Sequence, residues 1–103
     1  MPLSQYPLPK QRVTADIIRQ HFNESQVLER AESGQLVMET GRDSHRAPPG
    51  EPICTRSQMV YYKTPNGDLV AVAHQYLRPD GNIGASGLPD PKCLFLQDRI
   101  LYV

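Results

Sequence analysis

Ser57-Gln58-Met59-Val60-Tyr61-Tyr62-Lys63-Thr64-Pro65-Asn66-Gly67-Asp68-Leu69-Val70-Ala71-Val72-Ala73-His74-Gln75-Tyr76-Leu77 is the stretch whose reading decides the fold. Residues 57–63 are rich in β-branched and aromatic side chains, which favour a pleated, half-buried surface. Pro65 presets the φ of a turn, and Asn66-Gly67 tolerate the positive φ that closes a hairpin. The chain then returns antiparallel over 68–77. Val70, Val72, His74 and Tyr76 face one way, and Leu69, Ala71, Ala73, Gln75 and Leu77 the other. Both faces begin apolar, which marks a central strand, and both turn polar towards residue 74, where the strand leaves the core.

Upstream the period changes. Thr14 is an N-cap, Val13 and Ile18 form a hydrophobic staple, and Ile17, Ile18 and Phe22 share one face of a helix near 15–22. Asn23 offers a second cap, with Val27, Leu28 and Ala31 as the next apolar face and Gly34 as the residue that ends it. Two short helices, or one helix broken near Asn23, satisfy this pattern. His21 lies beside the apolar stripe and reads as a packing or surface residue. After Gly34 the period falls to two, and 35–40 reads as a strand. Residues 93–96 and 100–103 read as two more strands, with Gln97-Asp98-Arg99 turning between them. The expected fold is therefore a single α+β domain over 13–103. One or two N-terminal helices pack on an antiparallel sheet of four to five strands. Residues 1–12, with Pro2, Pro7 and Pro9, read as an extended arm.

The totals narrow the function classes. The chain has 103 residues, enough for one core. Eleven basic and eleven acidic residues cancel, whereas a general nucleic-acid binder shows a basic excess. Nucleic acid is thus the less favoured partner, although a local basic patch stays open. A protein partner or self-association fits better. No run of 18 apolar residues suggests a membrane span, and the first residues lack the pattern of a signal peptide. Two cysteines without CxxC spacing fit a reducing cytoplasmic compartment.

Two loops carry the polar side chains. Residues 41–52 open with Arg42, His45 and Arg46, a group suited to holding an anion. Residues 78–92 hold three glycines and three prolines. Around them stand His74, Tyr76, Arg78, Asp80, Ser86, Asp90 and Lys92. Long loops in small domains are uncommon and usually functional or disordered. Gly81, Gly84 and Gly87 do not make a phosphate loop, because Leu-Pro-Asp-Pro follows where a helix would have to begin. Gly84-Ala85-Ser86-Gly87 lacks the spacing of a nucleophile elbow. His45, His74, Cys54, Cys93 and Asp90 show no short metal-ligand spacing, so neither metal nor cofactor is expected.

The order of elements, helices followed by an antiparallel sheet, resembles that of RelE-like and colicin-type ribonuclease toxins over most of the chain. The resemblance implies metal-independent RNA cleavage. His74 would be acid or base, Tyr76 would stand beside it, and Arg78 would steady phosphate charge. Neutral net charge and the lack of a catalytic motif favour instead a non-catalytic binding or interaction module built on the 78–92 loop. In either case the site is expected where the end of the 68–77 strand meets the loops 41–52 and 78–92, with the Asn66-Gly67 turn at the far end.

Overall fold

A computed structural model describes residues 8–45 and 48–103; most of the expected arm and Arg46 lie outside the described residues. Two helices and six strands follow in the order β1 (Lys10–Arg12), α1 (Ala15–Glu24), α2 (Val27–Glu32), β2 (Val37–Ser44), β3 (Arg56–Lys63), β4 (Leu69–Leu77), β5 (Asp90–Phe95) and β6 (Ile100–Tyr102). The strands form one sheet in the spatial order β1-β6-β5-β4-β3-β2. The fold is α+β, with β4 central, as its apolar faces suggest.

The sheet has six strands rather than four or five, and it is mixed. The extra strand is the end of the expected arm. Lys10–Arg12 runs parallel to β6, with Lys10 opposite Ile100 and Arg12 opposite Tyr102. Three residues without apolar alternation carry no strand signal of their own; the exposed edge of β6 recruits them through backbone hydrogen bonds.

The break between the helices falls at Ser25 and Gln26, not at Asn23. Phe22 and Val27 are both buried, yet in one continuous helix they would point about 140° apart. Gln26 adopts a left-handed φ of 54°, and the change of direction brings both side chains to the core. Gly34, at φ 86°, ends α2 as expected. Leu36 N–H donates to the Arg30 carbonyl at 3.1 Å, which turns Leu36 inward.

β2 runs four residues beyond the expected end, so that Gly41, Arg42, Asp43 and Ser44 belong to the strand. A register shift between Thr40 and Asp43 accommodates them. The Tyr61 ring lies directly over Gly41, where any Cβ would collide with it. β5 likewise starts three residues early, at Asp90. It includes Pro91, whose missing N–H is tolerated beside the register shift at Val72 and Ala73.

Both helices lie against the face that carries Val60, Tyr62, Ala71, Ala73, Leu94 and Leu101. These residues and Ile18, Phe22, Val27 and Leu36 form the buried core. Phe22 meets Tyr62 edge-on, with ring centroids 6.0 Å apart. Among the described residues neither helix packs on the opposite face. No helix among the described residues is long and apolar enough to cross a membrane.

Two substitutions should separate packing from polarity in this core. Phe22→Ala removes a fully enclosed ring and should cost about 3–5 kcal/mol in urea denaturation. The Tyr62 hydroxyl is buried and finds no partner among the described residues. Tyr62→Phe should therefore leave the denaturation midpoint unchanged or raise it.

Candidate functional site

The register of β3, β4 and β5 brings His74, Tyr76, Asp90 and Lys92 of the expected residues together. His74 lies opposite Met59 on one side and Asp90 on the other. The hairpin turn at 64–67 is at the far end of these strands. His74 and Tyr76 share a face, and their rings meet edge-on with centroids 4.7 Å apart. Ser57, on the same face of β3, shares a 2.7 Å hydrogen bond with His74 Nε2. Beside this group opens a cavity of about 450 Å³, lined by His74, Tyr76, Ser86, Asp90 and Lys92 from the expected set and by Arg19, Gln75, Gly84, Ala85 and Leu88 besides.

Charge in the cavity is organised around Asp90. Arg19, on α1, donates to Asp90 Oδ1 at 3.3 Å and to the Pro89 carbonyl at 3.3 Å. Lys92 Nζ donates to Asp90 Oδ2 at 2.9 Å. Two cations thus share one carboxylate. Asp90 and Lys92 sit on either side of Pro91, and the register shift at Ala73 turns both toward the cavity.

Arg78 has a different task. Its Nε and Nη2 donate to the two Glu51 oxygens at 2.8 and 3.0 Å, a bidentate pair that ties the 78–92 loop to the 48–55 loop. The Arg78 hydrogen bonds hold the Glu51 carboxyl below its ordinary range, and the Ala85 N–H assists. Gly84 N–H donates to the Tyr76 carbonyl at 2.7 Å, and a side chain at Gly84 would strike Glu51. Arg78, Glu51 and Gly84 therefore hold the loop that forms one wall of the cavity. Ser86 Oγ caps the same wall by donating to the Leu88 carbonyl at 3.2 Å.

The remaining expected residues lie apart. Asp80 accepts from Asn82 N–H at 2.9 Å within an exposed turn. Arg42 and His45 are exposed on and after β2 and do not line the cavity. Their neighbour Asp43 instead receives Arg56 Nε at 2.8 Å and Gln58 Nε2 at 3.4 Å. Gln58 in turn accepts from the buried Gln75 at 3.0 Å, so a polar chain crosses the inner face at this end of the sheet. Among the described residues no group of three His, Cys, Asp or Glu could hold a metal ion. Cys93 is partly buried, and burial pushes its thiol pKa up.

Arg19 and Ser57 escape the reading of the sequence. Arg19 falls one position from Ile18 on a helix and looks like an ordinary solvent-facing cation. Ser57 carries a weak signal, because the hairpin places it on the same face of the sheet as His74.

No protein-family model matches the sequence, and comparisons with curated proteins and with solved structures find no match.

Burial lowers the His74 pKa from its ordinary 6.5, Lys92 lowers it further, and Asp90 partly offsets both. The ring is therefore neutral at pH 7. Below about 6.5 the unfolded chain takes up a proton at this residue before the folded one does. The stability this neutral ring contributes is complete above that pH and is lost as the pH falls. His74→Gln keeps a partner for Ser57 and removes the titration. The drop in urea midpoint from pH 7.5 to pH 5 should be smaller in the variant than in the parent chain.

Proposed function

We propose that the protein is a small non-catalytic binding module whose ligand presents an anionic group to the cavity at the end of β4. The observation that carries this reading is the convergence of the two cations Arg19 and Lys92 and the neutral ring of His74 from three separate elements. Among the described residues Asp90 is the one carboxylate that lines the cavity beside them. A ligand carboxylate or phosphate would displace or share the Asp90 interactions and gain charge-assisted hydrogen bonds. Tyr76 and Leu88 add apolar surface beside the charges, the mixture that small ligand sites use.

The commitments of Asp90 favour binding over catalysis. A histidine that activates a hydroxyl needs a third group to orient its ring. Both Asp90 oxygens accept from Arg19 and Lys92 instead. Among the described residues the ring has Ser57 as its hydrogen-bond partner.

A metal-independent ribonuclease is the second reading, and one observation favours it. His74 is neutral, hydrogen-bonded to a hydroxyl and close to two cations, which suits a general base beside a phosphate. On that reading, expression of the protein arrests growth, and a folded His74→Ala variant does not.

Titration with inorganic phosphate and with citrate, followed residue by residue by NMR, tests the binding reading. Amide shifts should centre on residues 84–92 and on His74. Arg19→Gln and Lys92→Gln should each weaken binding by roughly tenfold. Shifts that avoid the cavity, or affinities indifferent to both substitutions, refute it.

A further inference from the structure

The face of the sheet opposite the helices differs in chemistry from the chain as a whole. Alternation and register place Tyr61, Val72, Cys93 and Tyr102 in one row across β3, β4, β5 and β6. Phe95 and Ile100 pair in the next row, and His74 and Tyr76 stand at the cavity end. Four of the seven phenylalanine and tyrosine residues of the chain are therefore on this face. Tyr61, Tyr76 and Phe95 are half-buried, and Tyr102 is 38% exposed. Tyr61 and Tyr102 are three strand spacings apart, roughly 14 Å.

Charge is distributed unevenly as well. Lys10 and Arg12 are exposed beside Ile100 and Tyr102, and Lys10 lines a shallow cavity of about 440 Å³ with Cys93, Phe95 and Tyr102. Lys63 pairs with Glu39 and Lys92 with Asp90. Among the described residues of β1, β3 and β5, Lys10, Arg12, Lys63 and Lys92 therefore present their charge to this face with Glu39 and Asp90 as the paired carboxylates, although the whole chain is neutral.

We infer that this open face is a docking surface for single-stranded nucleic acid, with bases stacked on its rings and the backbone tracked by Lys10, Arg12 and Lys92. The inference rests on the binding reading in that the cavity with Arg19 and Lys92 would take one backbone phosphate of the same strand. Sheets whose exposed aromatic residues stack two or three bases are an established solution to this problem. Stacking tolerates any sequence, because every base offers a π-face. A second copy of the chain suits the face less well, since face-to-face packing would bury Lys10 and Arg12, which pair with no carboxylate among the described residues, near their counterparts.

Fluorescence anisotropy with labelled oligouridine of about a dozen nucleotides supplies the test. Affinity should fall roughly tenfold between about 50 and 200 mM salt. Tyr102→Leu, which keeps apolar bulk but removes the ring, should weaken binding roughly tenfold. Arg12→Gln, at an exposed edge position, should weaken it and flatten the salt dependence. Absence of salt-dependent binding, equal affinity for a duplex of the same length, or indifference to both substitutions overturns the inference. So does a dimer in sedimentation that Tyr102→Leu converts to monomer, since a second copy would then cover the face. Phosphate binding in the cavity without oligouridine binding removes the inference and leaves the binding reading intact. Oligouridine binding that is lost in Tyr102→Leu but unaffected by Lys92→Gln keeps the face and removes the cavity from its role.

Discussion

The alternation along β4 sets two environments on a single strand, and the other elements answer to it. Ala71 and Ala73 are fully buried on the inner face, and their small side chains leave room for the larger Phe22, Ile18 and Tyr62 of the same cluster. A slip of one residue would send His74 into the helices and Ala73 outward, exchanging the whole apolar set for the polar one. The helices cover one side, so burial holds the register, and the register in turn decides which side chains remain available. His74 and Tyr76 are accessible for the same reason that Ala71 and Ala73 are not.

The loop after β4 depends on a second, polar constraint. An excursion from Arg78 to Pro89 with little apolar anchoring has a substantial conformational entropy cost. Arg78 and Glu51 offset it by fastening two loops together with a bidentate pair, and Glu51 is 9% exposed, so the pair is only partly screened by solvent. Gly84 is required at the closest approach, where Glu51 occupies the space of a side chain. Asp80 and Ser86 stabilise short turns within the loop. The polar residues that make this loop conspicuous thus divide between those that build the wall and those that face the cavity. Residue type alone does not tell the two groups apart.

That division marks how far the sequence could be read. Hairpin, central strand, alternation and the Gly34 stop are local signals, each carried by a few neighbouring residues, and all are present in the fold. β1 and the extension of β2 are not local. Lys10–Arg12 becomes a strand because β6 offers an unpaired edge, and Arg42–Ser44 because Arg56 and Gln58 hold Asp43 in place. The site follows the same rule. His74, Tyr76, Asp90 and Lys92 share adjoining strands whose pairing is implied by the chain order. Arg19 reaches them from a helix some seventy residues away, an approach fixed by tertiary packing.

Net charge shows the same limit in a different form. A total of zero argues against strong non-specific attraction to phosphate, because that attraction sums over the long-range field of the whole molecule. At contact range the sum matters less than the arrangement, since screening confines each surface charge to about a Debye length, roughly 8–10 Å. Asp43 and Glu51, both tied to arginines, belong to the loop end and its clamps, whereas Lys10 and Arg12 stand at the opposite edge of the sheet, beside Tyr102. A ligand lying across the open face would meet the second pair without being repelled strongly by the first. The chain can be neutral in solution and still present a cationic, aromatic surface to whatever approaches from the side opposite the helices.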